Sequence, residues 1–258
     1  MINYIIAILL AFVLGQVTAH LIKRLPEIIE ENNEFKKLIP TLKKDFEFEW
    51  KYSIGLLVIF LAITYFVKPI YMAYIYMLLV SMLVVVFVID FKMQLIPDTV
   101  QVIIAIIGII VCIIDKNNWL GHAIGMIVGG GIFGLIAIFS KIVFRKEGMG
   151  MGDIKLMAGL GLVFGIKSLP INFMDFFSQA EVILTITVIA FFLAAIVAII
   201  LIATNKTDKS QYMAFGPYIV IATILIILFG TKPFLDVYFA LCTWLANGMT
   251  ELLFKIIN

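Results

Sequence analysis

The sequence predicts an all-α, polytopic membrane protein with about eight transmembrane helices, and three observations carry that reading. Apolar residues make up 63% of the 258-residue chain and charged residues only 14%, against roughly half and a quarter in soluble domains. Mean hydropathy is +1.13. The apolar residues gather into runs near the length of a spanning helix, about 20 residues, or fewer where a helix end is buried in protein. Lys and Arg, finally, are shared unevenly between alternate loops.

The first run, about residues 3–22, has no basic region before it and no small-residue cleavage pattern after it, so it reads as a retained helix. The next two cover about 52–67 and 70–90, the latter ending in Asp90. The fourth, 98–114, follows Pro97 and opens with Asp98-Thr99-Val100-Gln101, the pattern of a capping box. The fifth, 120–143, carries Gly125, Gly129, Gly130, Gly131 and Gly134, a GxxxG spacing suited to tight helix contact. The sixth, 154–171, follows the stretch GMGMGD; the seventh is 180–203, and the eighth, 216–231, begins at Gly216-Pro217. The tail mixes Asp236, Asn247 and Glu251 with apolar residues at helical spacing, which predicts an interfacial amphipathic helix rather than a ninth span. The chain therefore divides into residues 1–51, a first helix and a short charged loop; 52–233, the membrane core; and 234–258, the amphipathic tail.

Fourteen of the nineteen Lys and Arg residues fall in the loops after odd-numbered spans. Positive residues favour the cytoplasm, so those loops belong inside and both termini outside. A net charge of +2 is too small to imply nucleic acid, and no such partner is expected. Cys112 and Cys242 lie inside apolar runs without CxxC spacing, and read as small core residues. His20 and His122 stand at span ends with no other ligand-type residue at metal spacing; they are expected to be hydrogen-bonded structural histidines, and no metal site is expected. GMGMGD lacks the GK[ST] ending of a phosphate-cradling loop.

Asp90 closes the third span and Asp153 opens the sixth, with two complete crossings between them. Parity brings both carboxylates to one membrane face. An ionisable residue at the edge of hydrocarbon is costly and points to a functional site. Two carboxylates brought close in a poorly solvated site tend to share one proton, so one can act as base toward water while the other acts as acid toward a carbonyl. Their titration would belong to the pair. Gly148, Gly150 and Gly152 permit close backbone approach and can hold an extended substrate strand, which a peptidase acting at this depth requires. Asp153 is also expected to cap the sixth helix, whose dipole favours its anionic form. Asp98 is expected to be a helix cap near the site. Lys155 either steadies the dyad or snorkels to lipid phosphates.

At these residues the chain resembles the type IV prepilin peptidases, the GxGD class of membrane aspartic peptidases, which also includes archaeal preflagellin peptidases. The matching pieces are IDFKMQLIPD at 89–98, EGMGMGDIKLMAGLG at 147–161 and AFGPY at 214–218, with GQVTAHLIKRLP at 15–26 as a fainter counterpart of the bacterial N-terminal stretch. The resemblance implies that Asp90 and Asp153 are the catalytic pair, that Gly150 and Gly152 are the motif glycines, and that Gly216-Pro217 starts the last span near the site. It implies cleavage of the basic leader of prepilins or pseudopilins at the cytoplasmic face of the inner membrane, with water as nucleophile and no cofactor. Many bacterial members hold two CxxC pairs after the Arg-Leu-Pro stretch and methylate the new N-terminus with S-adenosylmethionine. Here the loop has no cysteine, so residues 1–51 read as a reduced counterpart of that region, and Gln16 and Ala19 replace the usual serine and asparagine. N-methylation with S-adenosylmethionine stays open. The rival readings are a presenilin-like intramembrane protease, which would carry Tyr-Asp and Pro-Ala-Leu motifs where this chain has Ile89-Asp90 and FGPY, and a proton- or cation-coupled transporter, which would carry broken helices in two repeated halves.

Overall fold

The computed structural model describes residues 1–30, 49–145, 149–167, 177–204, 214–240, 243–244 and 247. Most of the expected charged loop, and the tail beyond 240 apart from three positions, lie outside the described residues. The protein is all-α and polytopic. Eight helices of fourteen residues or more occur among the described residues. They are α1 (Ile2–Glu30), α2 (Trp50–Phe66), α3 (Ile70–Met93), α4 (Asp98–Ile114), α5 (Trp119–Phe144), α6 (Met151–Phe164), α7 (Glu181–Ala203) and α8 (Gly216–Phe229). A ninth, shorter helix, α9, covers Lys232–Ala240. The eight expected spans each find a helix, but long and short ones alternate. The four candidate spans Ile2–Ile29, Ile70–Met93, Lys116–Val143 and Glu181–Ala203, which correspond to α1, α3, α5 and α7, are long and apolar enough to cross a bilayer by themselves. The even-numbered helices are shorter.

Several boundaries differ from the sequence expectation, and three of them have a clear physical reason. α1 runs on past residue 22 because Leu21, Ile22, Leu25 and Ile28 repeat at helical spacing and are buried. α6 stops at Phe164 because Gly165 adopts φ +63, and a Cβ there would stand 2.9 Å from His122 Nδ1. The chain after it is then fastened by the Ile166 N–H donating to the Gly121 carbonyl (3.0 Å) and by Asn118 Nδ2 donating to the Ile166 carbonyl (2.8 Å). α8 stops at Gly230, φ +72, and α9 leaves it at 107°.

The closest helix pair is α5 with α6. A Cβ on Gly125 would strike the Gly161 carbonyl oxygen, one on Gly129 the Met157 carbonyl oxygen, and one on Gly161 the Gly125 carbonyl oxygen. Backbone therefore touches backbone along this pair, as small-residue spacing allows in membranes. Gly131 and Gly134 face open space and take no part. α4 packs on the other side of α6, and α8 lies between α3 and α7. At the far side α1 and α2 meet through a polar clamp. The Gln16 side chain donates to the Glu49 carbonyl (3.2 Å) and accepts from the Glu49 N–H (3.2 Å), and its amide also donates to Ser53 Oγ (2.9 Å).

Candidate active site

Asp90 sits in the last turn of α3 and is 3% exposed. Directly beyond it the chain reverses at Gln94, whose left-handed backbone (φ 53) lets its N–H donate to the Asp90 carbonyl at 2.8 Å. Asp153 is the third residue of α6 and is 8% exposed. The two acids, far apart in sequence, line one open cavity of about 570 Å³ together with Gln94, Ile96, Gly152 and Lys155.

The third contributor is α8. The Gly216 N–H donates to Asp90 Oδ2 at 2.9 Å across 126 residues of sequence. Only glycine fits there, since a Cβ would lie 2.6 Å from that same oxygen and 3.2 Å from Ile96 Cδ1. Pro217 follows at the start of the helix, where its missing N–H has no intrahelical partner to lose. Gly152 packs closely but less tightly, with Ile96 Cβ 3.1 Å from where its own Cβ would stand. Gly150 is the N-cap residue of α6, and Asp153 Oδ2 lies against it. Asp153 Oδ1 is buried with no hydrogen-bond partner among the described residues.

Sequence reasoning placed several of these groups wrongly. Asp153 is not the N-cap residue of α6: Gly150 holds that position, and Asp153 lies three residues on, in the first turn. The capping box at α4 does not form either. Pro97 is the N-cap residue, and Gln101 turns its side-chain amide to the Ile96 carbonyl (3.1 Å), which holds the Gln94–Pro97 turn. Asp98 is thereby left to Lys155, whose Nζ lies 2.7 Å from its Oδ1. Lys155 thus pairs with Asp98 and not with the dyad. Gly148 lies outside the described residues. The role of the Gly216 amide had no sequence signal beyond the Gly-Pro pair that opens the last span. His122 is buried as a structural histidine, with Nδ1 2.9 Å from the Leu162 carbonyl oxygen and Nε2 3.5 Å from an Asp115 carboxylate oxygen. His20, expected at a span end, is buried inside α1 because that helix is longer than expected.

The model of the type IV leader peptidase family matches residues 77–230, a stretch that includes Asp90, Asp153 and Gly216. The prepilin leader peptidase/N-methyltransferase of Pseudomonas aeruginosa is 28% identical over 149 residues, covering 56% of this chain and 45% of that protein. Its namesake in Aeromonas salmonicida is 30% identical over 159 residues, covering 60% and 48%. That of Neisseria gonorrhoeae is 24% identical over 147 residues, covering 57% and 45%. The chain spans just under half the length of these relatives. No solved structure matches it.

Proposed function

Since the chain belongs to the type IV leader peptidase family, we propose that it is an aspartic endopeptidase that removes the basic leader of prepilins or pseudopilins at the cytoplasmic face of the inner membrane. One observation carries the reading: carboxylates from α3 and α6 share a single open cavity, with the α8 backbone fixing one of them.

The two acids are not equivalent, and their surroundings divide the labour. Asp90 Oδ2 accepts from the Gly216 N–H, which favours the anion and makes Asp90 the base. Asp153 Oδ1 is buried with no partner among the described residues, which disfavours the anion, so Asp153 holds the proton that the pair shares. In the proposed reaction Asp90 takes a proton from water as the water oxygen attacks the peptide carbonyl carbon. Asp153 gives its proton to the carbonyl oxygen; as the tetrahedral intermediate collapses and the C–N bond breaks, Asp90 passes its proton to the departing amine and Asp153 recovers one from the hydroxyl that becomes the carbonyl again. Hydrolysis needs the scissile segment unwound, and Gly150 and Gly152, on either side of Met151, offer backbone without side-chain bulk at the edge of the cavity.

The relatives' names also include N-methyltransferase. Of the two positions that depart from the bacterial pattern, Gln16 has its amide taken up by Glu49 and Ser53, and Ala19 brings no polar group. No methyl-transfer step is assigned to them. The transporter reading is disfavoured by position, because the acids lie in terminal helical turns at one end of the bundle.

The test is to co-express a prepilin with Asp90→Asn and Asp153→Asn variants. Asparagine keeps the shape, and at position 90 it keeps an acceptor for Gly216, so both variants should insert while losing cleavage by several orders of magnitude. Retained processing in either, read as a gel shift of the pilin, sinks the assignment.

A further inference from the structure

A second cavity lies at the opposite end of the bundle from the dyad. It measures about 510 Å³ and is bounded by the C-terminal ends of α2, α6 and α8, the start of α7 and the early part of α3. Its walls are aromatic and aliphatic. The Tyr76 and Phe164 rings stand 5.8 Å apart, as do those of Phe66 and Phe229, and Val182 and Ile226 fill in between. The Tyr76 hydroxyl has no hydrogen-bond partner among the described residues.

The rim of this cleft is cationic. Lys68 lines it and is exposed. Lys232 opens α9 immediately after Thr231, which also lines it. Neither lysine is held in an ion pair among the described residues, and Asp236, four residues along α9, does not engage Lys232. The acid bonded to the rim, Glu181, is already occupied: Lys167 Nζ lies 2.6 Å from one of its oxygens, and the Thr231 hydroxyl donates to the other. The level of the cleft is marked by the 107° bend between α8 and α9. Val237, Tyr238 and Phe239 of α9 are exposed, as on a helix lying in the interface between lipid and water.

An apolar slot opening below unpaired ammonium groups, at the depth of lipid headgroups, has the chemistry of one ligand class. We propose that this cleft binds a single phospholipid with an anionic headgroup, its acyl chain between the Tyr76, Phe164 and Phe66 rings and its phosphate on Lys68 and Lys232. Any acyl chain can fill the slot; the two lysines select the head. A lysine near a membrane surface favours an anionic lipid by about fivefold, so the pair should give a preference on the order of 25-fold.

The protein is reconstituted in nanodiscs containing equal phosphatidylglycerol and phosphatidylcholine, re-extracted in mild detergent, and weighed intact by native mass spectrometry to count retained lipids. One phosphatidylglycerol should remain bound in preference to phosphatidylcholine. Lys68→Ala and Lys232→Ala should each reduce that preference about fivefold, while Lys68→Arg should keep it and so control for folding. Equal retention of the two lipids by the unaltered protein overturns the proposal. So does an undiminished preference when both lysines are replaced.

Discussion

Lys155 reaches across 57 residues of sequence to Asp98, Nζ to Oδ1 at 2.7 Å, and so ties the first turns of α6 and α4 together beside the dyad. Both side chains are about half exposed. The pair stands at the cavity that Asp90 and Asp153 also line, outside the proton sharing proposed for those two acids.

An exposed ion pair of this kind contributes only about 0.2–1 kcal/mol. Asp98→Asn is therefore expected to lower thermal stability by a degree or two and to leave prepilin cleavage within about fivefold of the unaltered protein. The reversed pair, Asp98→Lys with Lys155→Asp, should recover what either single reversal loses. A total loss of cleavage in Asp98→Asn would show that Asp98 acts on substrate.

Gly216→Ala should do far more harm than its size suggests. The new methyl would press on Asp90 Oδ2 and Ile96 and displace the N–H that holds the carboxylate. Losing a hydrogen bond to a charged group costs about 1.5–3 kcal/mol, so cleavage should fall on the order of 10- to 100-fold. The variant should still accumulate in the membrane. Unchanged cleavage rates would remove Gly216 from the proposed machinery.

The glycines of α5 should separate into two classes. Gly125→Leu drives a side chain into the α6 backbone and is expected to destabilise the protein by about 1–3 kcal/mol or more. Gly134→Ala meets nothing within 4 Å and should be neutral, or stabilising by about 0.5–1 kcal/mol through helix propensity. Thermal unfolding in one detergent distinguishes them, and equal effects would refute the backbone contact between α5 and α6.

Gln16→Ala removes both halves of the clamp on Glu49 and the bond to Ser53. Leaving partly buried backbone groups unpaired costs up to about 1–3 kcal/mol, so the melting temperature should drop by a few degrees. Gln16→Glu should rescue only in part, because a carboxylate accepts from the Glu49 N–H but cannot donate to its carbonyl. Full stability in Gln16→Ala would mean that α1 and α2 are held by apolar packing alone.

What could be read from the chain alone was whatever depends on local pattern. The apolar run 98–114 has the bounds of α4, and the GxxxG register at Gly125 and Gly129 is the register of contact. The Asp90 and Asp153 pairing at one end of the bundle followed from counting crossings. Long-range polar partners were hidden, because nothing near Lys155 in sequence indicates Asp98, and nothing near Gln16 indicates Glu49. The cap assignments failed for a related reason. Asp153 and Asp98 are good capping types, but Gly150 and Pro97 stand at the N-cap positions, and tertiary contacts use the acids elsewhere.

The α5–α6 contact also governs something remote from it. Where main chain meets main chain, a helix cannot spin about its own axis without forcing glycine Cα atoms through a carbonyl. α6 is keyed into α5 at Met157 and Gly161, one and two turns along from Asp153. The azimuth of Asp153 is accordingly set by residues that do not line its cavity. If the bilayer thins or tilts the bundle, α5 and α6 must travel as one body, carrying Asp153 with its heading unchanged.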